Sequence, residues 1–480
     1  MRIILAFIAS LIFQISFAQE EVYKESTTHK IDEIISVVDE ETGQTVLLNF
    51  HSNGIQANLF NSEFKKLKSI EVRSLPYKYS ALIGFQLQDE KLLVLMTNDN
   101  RRNYAFATFD FNHGILSTKE LDFKLKREHY LATLSKNNEI YMVSAAKKGS
   151  QMNIYEFNAN QAEPFKNEIK FLEDTFIDRF DRSVDFYDVL RGSENNTIDQ
   201  VIFEPVVINN EIPSSIEETQ VPFKLYPHQD GFKLSIDAGI DYTTIVNVSI
   251  KEMSAKAQKF DYEMPEEKFG TRMKTNSFIY ENKLFQFSLH TDEAKLKLID
   301  LDSGKLYKEL VFDREDELKI ANTPIVQLGG NGFKQYRELE TANQFFRKTL
   351  NDAELGIDVI ERDGLYEITF GNFKEIESNY FYVYNGNSLL GASIAGGLSA
   401  LANQFLSYRV TKSVQFTGLF TKEMTHVEGE VKANIFDEIF DFSEEFRIDE
   451  ETFFQIKDHY YYTYFDKKQG FYSVYKFPLN

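Results

Sequence analysis

Apolar and polar positions alternate along most of this chain, and Asn, Asp and Gly cut the alternation at short intervals. Residues 277–312 show it most plainly. Runs at 277–280, 284–289, 294–300 and 305–312 each read as a strand, with Glu281-Asn282-Lys283 and Leu301-Asp302-Ser303-Gly304 among the turns between them. Period-two alternation between such turns predicts consecutive antiparallel hairpins. Four strands in about 40 residues is the length of one propeller blade. The same rhythm recurs at 31–72, 81–123 and 131–171, more weakly at 183–223 and 231–262, and again in the aromatic stretch 453–477. The pattern predicts an all-β chain, a β-propeller-like ring of six to eight blades centred on seven. A string of β-sandwiches is the alternative, disfavoured because no Pro-rich linker interrupts the spacing. A terminal strand pairing with the first blade would close the ring, and 460–477 is suited to that.

Some segments leave the rhythm. Residues 333–352 read as a helix with Leu339, Ala342, Phe346 and Leu350 on one face, and 433–446 as another carrying Phe436, Ile439 and Phe440. Between them, 388–405 is an uncharged run of Leu, Ala, Gly and Ser. It is short for a membrane span and interrupted by Asn403-Gln404, so a buried helix or apolar hairpin is favoured over a membrane-contacting insertion. The expected division is therefore 1–18 as a leader, 19–320 as regular blades, and 321–480 as helical insertions and closing strands of the same propeller.

Arg2 precedes an apolar run over 3–17, and Ser16 and Ala18 stand before Gln19. A positive start, an apolar stretch and small residues at the cleavage positions describe a secretory signal peptide. The chain has 480 residues and is 42% hydrophobic, enough to bury a large core. Its net charge of −21 argues against nucleic acid, whose phosphates repel an acidic partner. With no cysteine there are no disulfides, no thiolate chemistry and no cysteine-linked lipid anchor. Export without cysteine fits a bacterial periplasm or exterior.

Chemistry is mostly absent from the pattern. The eight histidines form no H-x-H or H-E-x-x-H pair. Gly391-Ala392-Ser393-Ile394-Ala395 approaches a nucleophile elbow but lacks the second glycine. Two weak candidates remain. The loop Gly329, Gly330, Asn331, Gly332 with Lys334 would offer backbone N–H groups to an anion at a helix start, although a simple chain reversal is the blander account. A helix over 171–190 would align Asp174, Asp178, Asp181, Asp185 and Asp188, of which Asp178, Asp181 and Asp185 are the expected ligands for Ca²⁺, the only cofactor suggested. A solvated acidic face is the alternative.

The turn over 299–305 resembles the outer hairpin of many bacterial propeller repeats. The last 70 residues or so, with their strand, helix and Tyr-rich strands, resemble secreted β-propeller-like proteins of flavobacteria (Bacteroidota), as does the abundance of Phe, Tyr, Asn, Lys, Ile and Glu. That resemblance brings no catalytic motif and implies no activity. The absence of Trp removes the Trp docking motifs of quinoprotein dehydrogenases and of sialidase repeats. Three functions are therefore carried forward. One is an exported, monomeric, non-catalytic binding protein with a protein or glycan partner. Another is a propeller hydrolase of glycans or peptides using carboxylates as acid and base. The third is an envelope-associated structural protein using 388–405.

Overall fold

The computed structural model describes residues 19–191 except 160, 162 and 179, then 204–263 except 238 and 240, and 272–315, 318–328, 336–374, 400–410 and 413–478. These form seven sheets of four or five strands. The chain first lays down β1 (Glu20–Ser26), then blade 1 from β2 (Ile31–Val38), β3 (Thr45–His51), β4 (Gly54–Phe60) and β5 (Lys66–Val72). Blade 2 is β6 (Ala81–Gln88), β7 (Lys91–Thr97), β8 (Tyr104–Asp110) and β9 (Ile115–Leu121). Blade 3 is β10 (Glu128–Lys136), β11 (Glu139–Ala146), β12 (Gln151–Phe157) and β13 (Phe165–Lys170). Blade 4 combines β14 (Val206–Val207), β15 (Phe223–His228), β16 (Gly231–Ile236), β17 (Tyr242–Ser249) and β18 (Ser254–Asp261). Blade 5 is β19 (Lys274–Tyr280), β20 (Lys283–Leu289), β21 (Glu293–Asp300) and β22 (Leu306–Asp313). Blade 6 contains β23 (Ile325–Gln327), β24 (Arg337–Leu339), β25 (Glu354–Arg362), β26 (Leu365–Phe373) and β27 (Ser413–Phe420). Blade 7 ends the chain with β28 (Glu450–Ile456), β29 (His459–Asp466) and β30 (Phe471–Pro478).

Shared cores arrange these sheets in a ring. Blades 1 and 2 enclose one apolar cluster, 2 and 3 a second, 3 and 4 a third, and 4, 5 and 6 a fourth. Blades 7 and 1 enclose a fifth, with Phe60, Phe64 and Phe454 in it, so the circle returns to its start. First strands of neighbouring blades face each other around the axis, β2 against β28 and β19 against β25. The last strands β9, β13 and β22 lie outermost and are largely exposed. This is a seven-bladed β-propeller.

Among the described residues five helices decorate the ring: α1 (Phe186–Arg191), α2 (Ile216–Thr219), α3 (Ala342–Asp352), α4 (Ala400–Val410) and α5 (Ile435–Ser443). Packing between blades 6 and 7 is mediated by two of them. α2 lies on β25 and β26, α4 lies on β28, and the two helices pack on each other. Gly356 and Gly371 make room for α2, since a Cβ at Gly371 would stand 2.6 Å from Ile216 Cγ1.

One turn recurs four times. Asp39–Gly43, Asp110–Gly114, Asp300–Gly304 and Asp466–Gly470 each close with the glycine N–H donating to the aspartate carbonyl at 2.7–2.8 Å. The glycine sits at φ 66–73°, a conformation that disfavours any side chain. The aspartate carboxylate accepts backbone N–H groups of the intervening residues.

The structure corrects several sequence expectations. The ring is closed by the chain's beginning: β1 pairs antiparallel with β30 as the outer strand of blade 7. The described residues of 183–223 hold α1 and α2 and give a sheet the short β14 and the first residue of β15. The helix expected over 333–352 starts only at Ala342. Thr341 caps it, accepting from Gln344 N, and Leu339 pairs with Ile325 in blade 6. Within 171–190 only Phe186–Arg191 is helical, because Asp178 turns the chain locally by accepting from the N–H groups of Phe180 and Arg182. Of 388–405, the described part 400–405 belongs to α4, where Phe405 is buried against Phe436 and Phe453. Among the described residues no helix is long and apolar enough to cross a membrane.

Candidate functional site at one mouth of the channel

Each first strand turns back through a short hairpin, and these hairpins collect at one mouth of the ring. Side chains stitch neighbouring hairpins together. Ser135 Oγ accepts from Phe85 N and Asn138 Oδ1 from Leu87 N, both at 2.8 Å, tying blade 3 to blade 2. Lys136 Nζ donates to the His228 carbonyl in blade 4, and Lys233 Nζ to the Glu281 carbonyl in blade 5 at 3.1 Å. Lys283 Nζ then reaches Tyr366 OH in blade 6 at 2.7 Å. The hairpins are thereby fixed relative to one another.

A cavity of about 240 Å³ opens among the hairpins of blades 1 to 3, lined by Asp39, Glu40, Phe85, Ser135, Lys136 and Asn137 among others. Ser135 and Asn138 are occupied in stitching, and Asp39 caps its own turn through Glu41 N and Thr42 Oγ1. Glu40, Glu41 and Lys136 are the other charged residues of the lining, Lys136 while it also donates to the His228 carbonyl. Burial in the mouth raises the Glu40 carboxyl, with Lys136 opposing and Glu211 and Asp39 adding repulsion. Burial likewise lowers the Lys136 ammonium against the pull of Glu40 and Asp230.

Glu211 belongs to a crosspiece. After β14 the chain leaves blade 4 and spans toward the far side of the ring. Asn210 Nδ2 donates to the Ile279 carbonyl in blade 5 at 3.0 Å. Gln455 Nε2 and Tyr460 OH of blade 7 donate to the Glu211 carboxylate and carbonyl at 3.2 and 3.3 Å. Gln404 of α4 holds Asn209 through both backbone groups. Ile212 enters the blade 7 core, α2 packs on blade 6, and Asn276 of blade 5 donates to the Gln220 carbonyl as the chain returns to β15.

A second set of groups gathers where the first strands begin. Glu33 on β2 and Glu450 on β28 are both pushed up to about 7 by burial, with Glu33 adding repulsion on Glu450. The same two strands meet at Ser36 Oγ and Thr452 Oγ1, 3.4 Å apart. In blade 3 burial lowers His129 to about 4, and Arg101 lies 4.0 Å over the Tyr130 ring while gripping Glu204. Two carboxyls held near neutrality can exchange protons at physiological pH.

The residues singled out from sequence stand elsewhere. Gly329, Gly330, Asn331, Gly332 and Lys334 lie outside the described residues, as does the segment 391–395. The three aspartates engage separate partners. Asp178 is buried and bonds Arg182 Nε at 2.7 Å. Although burial opposes it, these hydrogen bonds hold its carboxyl below the usual range. Asp185 accepts from Gly149 N at 3.1 Å and Ser150 Oγ at 3.3 Å, while Asp181 is exposed at φ 58°. Among the described residues no three His, Asp or Glu side chains are grouped to hold a metal ion. Glu40, Lys136, Glu211, Glu33 and Glu450 were not singled out from sequence. Closure of the ring brings Glu40, Lys136 and Glu211 to one mouth and Glu33 and Glu450 together where the first strands begin.

No family model matches the chain, and no curated protein matches it. Among solved structures it is similar to a prolyl endopeptidase at TM-score 0.36 and 8% identity, over 94% of this chain and 48% of that one. It thus spans about half the length of that enzyme. It is also similar to the Dos1 propeller, at TM-score 0.28 and 10% identity over 93% of this chain and 78% of that one. The polysaccharide lyase Uly1 is similar at TM-score 0.34 and 6% identity, over 85% of this chain and 94% of that one. Likenesses this distant assign no activity to the chain.

Proposed function

We propose that this propeller is an exported, non-catalytic binding protein of the periplasm or exterior, and that its hairpin-side mouth receives a protein or glycan partner. The observation that carries this reading is the stitched cavity around Glu40 and Lys136. Its blade 2 and blade 3 walls are joined by hydrogen bonds and its blade 1 wall is a turn closed by Asp39, so little ordering entropy opposes binding. Its volume of about 240 Å³ is below the roughly 300–1,000 Å³ typical of drug-sized ligand sites. That size suits one charged side chain or one sugar unit of a larger partner. The leader expected over 1–18 from its sequence and the absence of cysteine support export. The test is capture of envelope proteins and glycans on the immobilised protein, compared with Glu40→Gln and Lys136→Met. Loss of the captured species in both variants, with unchanged circular dichroism, is expected; equal capture by the variants would reject the mouth as the site.

A second reading, hydrolysis of glycans or peptides, is favoured by Glu33 and Glu450 alone. One carboxyl would donate a proton while its neighbour stays ionised. It expects product release from a glycan or peptide library that disappears in Glu33→Gln and Glu450→Gln.

A further inference from the structure

Glu218 and Thr219 on α2 and Asp358 on β25 are polar side chains at most 6% exposed. Glu218 Oε2, Thr219 Oγ1 and Asp358 Oδ1 have no hydrogen-bond partner. Burying such oxygens without a partner costs roughly 1–3 kcal/mol each, and more when they are charged. The charged groups acting on Glu218 are Glu217 and Asp358, and Glu367 acts on Asp358, all of one sign. Nearby Arg362 is taken by Glu367 in a two-pronged pair at 2.9 and 2.6 Å. Thr219 Oγ1 and the Ile216 carbonyl both stand 3.1 Å from the position a Gly356 Cβ would take. Asp358 follows two residues later on the same face of that strand. Ser214 and the Val359 backbone partly oppose the effect of burial on Asp358, whose Oδ1 has no partner.

We propose that the unpartnered oxygens where α2 packs on β25 bind a hard divalent cation of the Ca²⁺ or Mg²⁺ kind, through the carboxylates of Glu218 and Asp358 and the hydroxyl of Thr219. Two carboxylates balance the charge of one such ion. The donors are all oxygen, the set that calcium and magnesium take, with no imidazole or thiolate to recruit a softer metal. Burial pushes the Glu218 carboxyl up to about 8 and Asp358 up to about 7, so without a cation the pair must hold protons at neutral pH. The ion would pin the crosspiece to blade 6. The proposal is independent of the mouth reading, because these groups lie where α2 packs on blade 6 whereas the mouth cavity lies among blades 1 to 3.

The test is calorimetric titration of the EDTA-treated, gel-filtered protein with CaCl₂ and, separately, MgCl₂ at neutral pH, with the thermal midpoint followed in parallel. One equivalent of at least one of the two ions is expected to bind and raise the midpoint. Glu218→Gln and Asp358→Asn should each weaken binding by roughly tenfold or more, the scale for loss of a supporting group at a metal site. Asp178→Asn should leave binding unchanged, which separates this site from the Asp178 loop. If either carboxylate variant does not fold, Thr219→Val carries the test, with weaker binding and an unaltered circular dichroism spectrum expected. Absence of binding for both ions, or binding that survives in Glu218→Gln and Asp358→Asn, overturns the proposal and assigns protons to the pair.

Discussion

At the scale of single residues, buried carboxyls decide how this protein responds to pH. Glu33, Glu218, Asp358 and Glu450 all hold their protons more tightly folded than unfolded, at about 7 to 8. Below the ordinary carboxylate range their contribution to stability is fully present. It is lost as pH rises through about 7 to 8, because the unfolded chain releases those protons more readily. Urea midpoints of the metal-free protein are therefore expected to fall between mildly acidic and mildly alkaline pH, and Glu218→Gln should flatten that slope. A midpoint independent of pH across this range would contradict the burial of these groups. Packing makes an equally local prediction. Gly371→Ala forces a methyl group onto Ile216 and should cost about 1–3 kcal/mol, the usual range for overpacking. Ile216→Val in the same background should return part of it. A double-mutant cycle measures the coupling, and additive losses would place the strain elsewhere.

At the scale of elements, what the sequence displayed and what it hid divide along one line. Blade 1 was legible end to end because its strands alternate and its first turn carries the Asp39–Gly43 signature. The turns at Asp110, Asp300 and Asp466 did the same for blades 2, 5 and 7. Blade 6 was not legible. Its outer strands β23 and β24 precede α3, its third strand β27 follows α4, and β23 pairs with β27 across that gap. Local periodicity cannot report a pairing between segments so far apart. The helix expected over 171–190 failed for the opposite reason: its spacing was helical, but Asp178 satisfies backbone N–H groups in a turn instead. The candidate sites were hidden by the same rule as blade 6, since Glu33 with Glu450, and Glu218 with Asp358, meet only in the closed ring. The closing element can be tested directly. Tyr472 OH donates to Glu25 Oε2 at 2.6 Å and accepts from Asn58 Nδ2 at 2.7 Å, linking β1, β30 and blade 1. Tyr472→Phe takes the acceptor from Asn58 Nδ2 and leaves Glu25 Oε2 with Tyr23 OH and Lys66 Nζ, and should cost about 1–3 kcal/mol in denaturant unfolding. Removal of 20–26 should lower the thermal midpoint much further; an unchanged midpoint would show that β1 does not hold the ring.

At the scale of the whole molecule, apolar cores shared between neighbouring blades couple the ring into one unit. Calorimetry should accordingly show a single transition, whereas two resolved transitions would mean that groups of blades melt apart. With a net charge of −21, self-repulsion opposes compactness, and salt screens it over a Debye length of about 10 Å at 0.1 M. Added NaCl is expected to raise the midpoint.

The pairing of β1 with β30 also sets an order in time. Among the described strands β1 is synthesised before all others and β30 after them, so blades 1 to 6 have emerged before the seam can form. Until then β1 waits as an unpaired edge, and the blade 1 core lacks the face that blade 7 will supply. A circular permutant that carries residues 20–26 behind Pro478 would make blade 7 contiguous in the chain. Contact order predicts that such a ring closes faster than the natural one while ending in the same structure.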